Sequence, residues 1–263
     1  MSAAPDRPGV QILTPEWPAP AAVHAAFTLR SGGVSAAPFD SLNLGAHVGD
    51  EAAAVAENRR RVQAQLRLPE EPAWMEQVHG IDVLDLDVEA GVGRPAAHGS
   101  TAGIAADAAV TRRAGPICAV QVADCLPVLF AVRDGSAVAA AHAGWRGLAA
   151  GVLEATVKRL AVEPGRLIAW LGPGIGQAHF EVGDEVRNAF LAHDAGAAGA
   201  FASNARRRWQ CDLVGLARGR LITLGITAVF GGNWCTYADA PRFFSYRRDG
   251  HCGRMAALIW REG

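Results

Sequence analysis

Between residues 106 and 143 four short apolar runs follow one another with little but turn residues between them: "ADAAVTR" (106–112), "ICAVQVAD" (117–124), "PVLFAV" (127–132) and "SAVAAAHA" (136–143). Runs of this length, bounded by Gly, Pro, Asp and Ser, read as strands. Further runs of the same kind lie at 10–15, 23–30, 73–80, 81–87, 166–172, 226–232, 242–248 and 254–261. Helical patterns are fewer. One starts at Asp50, read as an N-cap with Glu51 in the first turn. The others run from about 145 to 160, from just after Gly183-Asp184, and from 212 to 224. Many strands and few helices, without strict alternation, predict an α+β (mixed α/β) fold: mixed β-sheets in layers, flanked by helices.

Half of the 263 residues are hydrophobic, enough for one sizeable core. No repeat or long linker divides the chain, so 1–263 reads as a single domain with residues 1–9 a loose tail. The stretches 89–103 and 193–205, rich in Gly, Ala and Ser, read as surface loops. A formal net charge of −1 leaves no electrostatic footprint for nucleic acid or membrane. With no signal-peptide pattern and no transmembrane-length apolar run, the expectation is a cytoplasmic protein. Five cysteines at irregular spacing (118, 125, 211, 235, 252) make no disulfide framework and no CxxC pair. The runs Arg59–Arg61 and Arg206–Arg208 read as solvated faces.

Three residues that could do chemistry stand at strand ends: His79 in "QVHG", Cys125 in "ADCLP" and His142 in "AHAGWRG". Thiolate and imidazole suit zinc, and three protein ligands leave a fourth position for catalysis. Cys125 as a nucleophile with His142 as its base is an equally open reading of the residues alone. Asp124, next to Cys125 in an extended segment, is expected to face the other way. Pro127 is expected to break the ladder beside them. Gly144 and Gly147 flank a helix start with Arg146 between them, a place where backbone N–H groups can meet an anion. Arg248, Tyr246 and, in the Gly- and Ser-rich stretch 28–45, Arg30 and Asn43 complete the candidate binding set.

Taken in order, "LRSGGVSAAPFDSLNLGAHVGD", "QVHG", "VADCLPVLF", "AAAHAGWRGLAAGV", "LGPGIGQAHFEVG" and "CTYADAPRFFSYRRDG" resemble the YfiH-like family, also called the multicopper polyphenol oxidoreductase or laccase-domain family. The resemblance runs from about residue 24 to 260. It implies a zinc site of His79, Cys125 and His142, with inorganic phosphate as co-substrate. The implied activities are phosphorolysis of adenosine, inosine, guanosine and methylthioadenosine, and deamination of adenosine. Editing of a peptidoglycan precursor and copper-dependent phenol oxidation are the family's other implied activities. A four-copper laccase cluster needs about ten His in paired motifs. The chain has eight His and no His-x-His pair, so it lacks the ligands for that cluster, though a lone copper on the three residues remains open.

Overall fold

A computed structural model describes residues 9–88 and 103–263. Two sheets pack face to face. The first is antiparallel, with β1 (Ile12–Leu13), β2 (Val23–Thr28), β13 (Met255–Arg261) and β5 (Cys118–Val122) side by side in that order. The second is mixed: β12 (Ala228–Gly231), β8 (Leu167–Leu171), β6 (Leu126–Val132), β7 (Val138–Ala143), β4 (Ala108–Thr111) and β3 (Val83–Asp85). Its outer pairs β12–β8 and β3–β4 are parallel and the inner ones antiparallel. A small antiparallel sheet of β10 (Phe201–Ser203), β11 (Trp209–Cys211) and β9 (Glu181–Val182) lies apart.

The alternation of side chains along each strand explains the layering. On β6, Leu129 and Ala131 join Val120, Val122 and Ile259 between the two sheets. Val128, Phe130 and Val132 point the other way, onto α3 (Val152–Leu160) and α5 (Leu213–Thr223). The opposite face of the first sheet, with Ala119, Ala256 and Leu258, is covered through Val62 by α1 (Ala52–Leu66). The result is four layers, helix–sheet–sheet–helix, so strands buried on both faces carry near-continuous apolar runs. The expected mixed α/β architecture with flanking helices is therefore the one observed.

Several local expectations are corrected. Residues 73–80 form no strand; they lie along the β5 edge through an isolated bridge from Ala73 to Cys118. Gln77 extends this docking, its Nε2 donating to the Gln121 carbonyl and its Oε1 accepting the Gln121 N–H. None of 242–248 is a strand either: α6 (Tyr246–Asp249) begins there, capped by Ser245, whose hydroxyl accepts the Arg248 N–H at 3.3 Å. The helix expected over 145–160 is two, α2 (Trp145–Ala150) and α3, broken where Gly151 takes φ 105°. The N-cap of α1 is Glu51, while Asp50 accepts the Glu51 N–H. The expected loop at 193–205 contains a 3₁₀ turn and β10. Pro127 sits inside β6 opposite His142 without breaking it; as the second residue of the strand its missing donor is tolerated. Arg59 is not solvated: its guanidinium lies 4.4 Å from the Trp74 ring centroid, and Nε and Nη2 donate to the Leu44 carbonyl. The expected tail and the 89–103 loop fall, but for Gly9 and Gly103, outside the described residues. Among the described residues, no helix is long and apolar enough to cross a membrane.

At Gly151 a side chain would be strained in this left-handed geometry. Gly151→Ala is expected to lower stability by about 1–3 kcal/mol, read as a fall in the urea midpoint at unchanged slope.

Candidate metal centre

One buried carboxylate builds the centre. Asp107 precedes β4 and is fully buried. Its Oδ2 accepts the Gly80 N–H at 2.6 Å and the Val78 N–H at 3.2 Å, and its Oδ1 accepts the His79 N–H at 2.9 Å. These bonds wrap the 78–80 backbone around the carboxylate and hold His79 at φ 61°, a left-handed conformation uncommon for a non-glycine residue. The Asp107 carbonyl accepts the His142 N–H at 2.7 Å, and Oδ1 also accepts from Nδ1 of the His142 ring at 2.8 Å. Four bonds use about all the lone pairs a carboxylate has. Burial pushes the Asp107 carboxyl up, but His142 and the backbone N–H groups outweigh it and hold the group below the usual carboxylate range.

Cys125 enters from the other side, in the loop between β5 and β6. The residue before it, Asp124, points away as expected, although the segment is a bend with Asp124 left-handed at φ 95° rather than extended. Its carboxylate accepts the Thr236 hydroxyl at 2.6 Å and the Arg247 N–H at 2.7 Å, and its carbonyl accepts the Ile175 N–H. These bonds fasten the chain on both sides of the thiol.

The structure thus brings His79, Cys125 and His142 together. One ligand atom from each lies within 4.8 Å of the others, and Cys125 Sγ is 3.8 Å from Nε2 of His79. The two imidazoles stand edge to face with centroids 4.8 Å apart. With Nδ1 of His142 held by Asp107, its Nε2 remains for a ligand, the carboxylate–histidine arrangement that commonly orients metal-binding imidazoles. A Cβ on Gly144 would lie 2.9 Å from both Cys125 Sγ and Cδ2 of His79, so only glycine lets the backbone approach this closely. The donor set, one thiolate and two imidazoles converging on one point, fits zinc and also accepts copper.

The electrostatics agree with this fit. Burial raises the Cys125 thiol, but the charge and hydrogen bonding of His142 and His79 outweigh it and bring it to about 6. Burial lowers His142, yet the Cys125 thiolate and Asp107 lift it to about 9. Cys118, Cys211 and Cys252 are instead pushed up by burial. One thiol of the four is thereby prepared as a ligand.

A family model described as multi-copper polyphenol oxidoreductase laccase matches residues 24–262. The chain belongs to this family. It is 53% identical over 251 residues to a purine nucleoside phosphorylase of Pseudomonas aeruginosa, covering 95% of this chain and 98% of that one. It is 52% identical over 250 residues to purine nucleoside phosphorylase YfiH of Escherichia coli, with the same coverage. Among solved structures it is similar to Neisseria meningitidis protein NMB0706 (TM-score 0.88, 48% identity, 96% of this chain and 99% of that one). It is also similar to YlmD of Geobacillus stearothermophilus (TM-score 0.82, 32% identity, 92% and 93%).

In this member of the laccase-type family the other expected site residues fare differently. Gly147 packs its backbone against the turn that carries His79, since a Cβ there would lie 2.9 Å from the Gly80 carbonyl oxygen. Arg146 is exposed, stacks on Trp145, and has no carboxylate partner among the described residues. The helix it opens has only six residues, so fewer peptide dipoles sum there than expected. Arg30 is engaged within the fold, donating to the carbonyls of Asp40 and Ala240 and to the Asp40 carboxylate. Asn43 is buried; its amide donates to the Gly45 carbonyl and Asp50 and accepts the N–H groups of Gly45 and Arg254. Arg248 spends its donors on the carbonyls of Thr236, Tyr237 and Phe243 and on Asp249, while Tyr246 is exposed.

The sequence reading missed Asp107 and His47. Asp107 carried a signal, an acid opening an otherwise apolar strand, where a charge has to find partners. His47 is held below its ordinary value by burial and by the positive charge of Arg254, Arg59 and His142.

Two outcomes are expected. Asp107→Asn removes the carboxylate behind His142 and is expected to weaken zinc binding about 10–100-fold in a competitive chelator titration. In metal-free protein, alkylation of Cys125 by iodoacetamide tracks the thiolate. Its rate should rise as pH increases through about 6 and then level off, read by mass spectrometry, while Cys118, Cys211 and Cys252 stay unmodified at neutral pH.

Proposed function

We propose that this protein is a zinc-dependent purine nucleoside phosphorylase acting on adenosine, inosine, guanosine and methylthioadenosine. The observation that carries the reading is the His79–Cys125–His142 cluster, mounted on Asp107 in a chain half-identical over nearly its whole length to proteins named purine nucleoside phosphorylase.

Phosphorolysis exchanges one bond for another. A phosphate oxygen attacks the anomeric carbon of the ribose, the bond to N9 breaks, and the purine leaves with the electron pair and takes up a proton. Zinc held by His79, Cys125 and His142 would supply Lewis acidity to this exchange. Asp107 keeps the proton on Nδ1 of His142 and so directs Nε2 inward. Arg146, with no carboxylate partner among the described residues, suits the incoming phosphate. Arg30, Asn43 and Arg248 have their donors engaged within the fold, and we assign them to shaping the walls.

Deamination of adenosine needs a carboxylate that can shuttle a proton at the same centre. Asp124 turns away from it, and Asp107 is saturated with hydrogen bonds. That favours phosphorolysis as the main activity of this site.

Purified protein incubated with adenosine should release adenine only when inorganic phosphate is present, and Cys125→Ser should lose at least about a hundredfold in rate. Inosine formed without phosphate would point to deamination instead. If the wild-type protein forms neither adenine nor inosine, the nucleoside reading is excluded.

A further inference from the structure

A second feature is a cavity of about 390 Å³ lined by His47, Arg59, Trp74, Glu76, Gln77 and Gln121, among others. That volume lies within the ~300–1,000 Å³ of small-molecule sites. Two of its walls belong to chain segments that lead on to the candidate metal-site residues. Gln77 and Glu76 belong to the segment that ends in His79, and Gln121 lies on β5, which leads into the Cys125 loop.

The two glutamines are used differently. Gln77 has its carboxamide committed at both ends to the backbone of residue 121, fixing the cavity wall. Gln121 is 6% exposed, and its own carboxamide makes no hydrogen bond among the described residues; its Oε1 is buried without a partner. A buried carbonyl oxygen without a hydrogen bond lowers stability, and native structures retain few of them. The group is neutral, offers a donor and an acceptor side by side, and has no hydrogen bond among the described residues that fixes which end faces the cavity. Of the two charged residues in the wall, Arg59 is already held by the Leu44 carbonyl and the Trp74 ring, and Glu76 is exposed.

Resting on the phosphorylase reading, we propose that this cavity receives the purine base and that Gln121 is its specificity-determining residue. The carboxamide reads the edge of the ring that bears the 6-substituent. Facing a 6-amino purine, Oε1 accepts from the amino group and Nε2 donates to the adjacent ring nitrogen. Turned over, Nε2 donates to a 6-oxo group and Oε1 accepts from the neighbouring ring N–H. One residue therefore serves adenosine and inosine alike, which a fixed side chain could not do.

The test is Gln121→Met, which keeps the volume and removes both hydrogen-bonding ends. KM and kcat are measured for adenosine, inosine and purine riboside, which lacks the 6-substituent. Binding of the same nucleosides is followed by calorimetry, and thermal stability by calorimetric scanning. The expected result is a rise of about tenfold or more in KM and Kd for adenosine and inosine, with kcat nearly unchanged and a much smaller effect on purine riboside. The melting temperature should stay or rise, because an unpaired polar group has left the interior. A lower melting temperature with unchanged KM and Kd for all three would make Gln121 structural and overturn the proposal, as would equal weakening of all three. If the wild type binds the nucleosides but turns none over, the phosphorylase reading fails while the calorimetry still decides the role of Gln121. If it binds none of them, both fail.

Discussion

Asp107 is a single carboxylate that accepts three consecutive backbone N–H groups from residues 78–80 and, on the same oxygen that holds His79, the imidazole N–H of His142. Removing this one group would release two of the three converging ligands at once. Its charge also sustains the local balance: without it His142 would be a buried imidazole facing a thiolate alone. Asp124 does for Cys125 what Asp107 does for the histidines, bonding Thr236 and the Arg247 backbone behind the thiol. Two buried acids, neither a ligand, thus fix three residues from three separate segments.

The fold supplies the rigidity these acids need. β6 and β7 are central strands of the mixed sheet, buried on both faces, and they place Leu126 opposite Ala143 so that Cys125 and the end of β7 come out at the same rim. β4, paired with β7, brings Asp107 beside His142 by register alone. The 73–80 segment then has to be held against the edge of β5, which is the task of Gln77. The left-handed turns at His79 and Asp124 are strained conformations at a functional site, each held by several hydrogen bonds.

Much of this was legible in the sequence. The apolar runs between 106 and 143 predicted strands because burial on two faces leaves no polar interruptions, and β4 to β7 lie there. His79, Cys125 and His142 stood out because each ends such a run. Other features depend on contacts distant in sequence. The 73–80 run looks like a strand but pairs only at isolated bridges and through the Gln77 side chain, and periodicity does not reveal that. Arg248 looked like an anion receptor because of its residue type, yet its donors tie a short helix to the carbonyls of Thr236, Tyr237 and Phe243 before it. Arg59 looked like part of a solvated run, although Trp74 and Leu44 draw it inward. Nothing local marks Gln121, whose importance lies in the partner it lacks.

The claim on which the rest depends is that these three side chains, and no others, bind one metal. X-ray absorption at the zinc edge of protein loaded with one equivalent tests it directly. The account predicts one sulfur neighbour at about 2.3 Å and two imidazole nitrogens at about 2.0–2.1 Å, with one further light-atom position. A shell of oxygen and nitrogen without sulfur, or one unchanged when Cys125 is replaced by Ser, would contradict it.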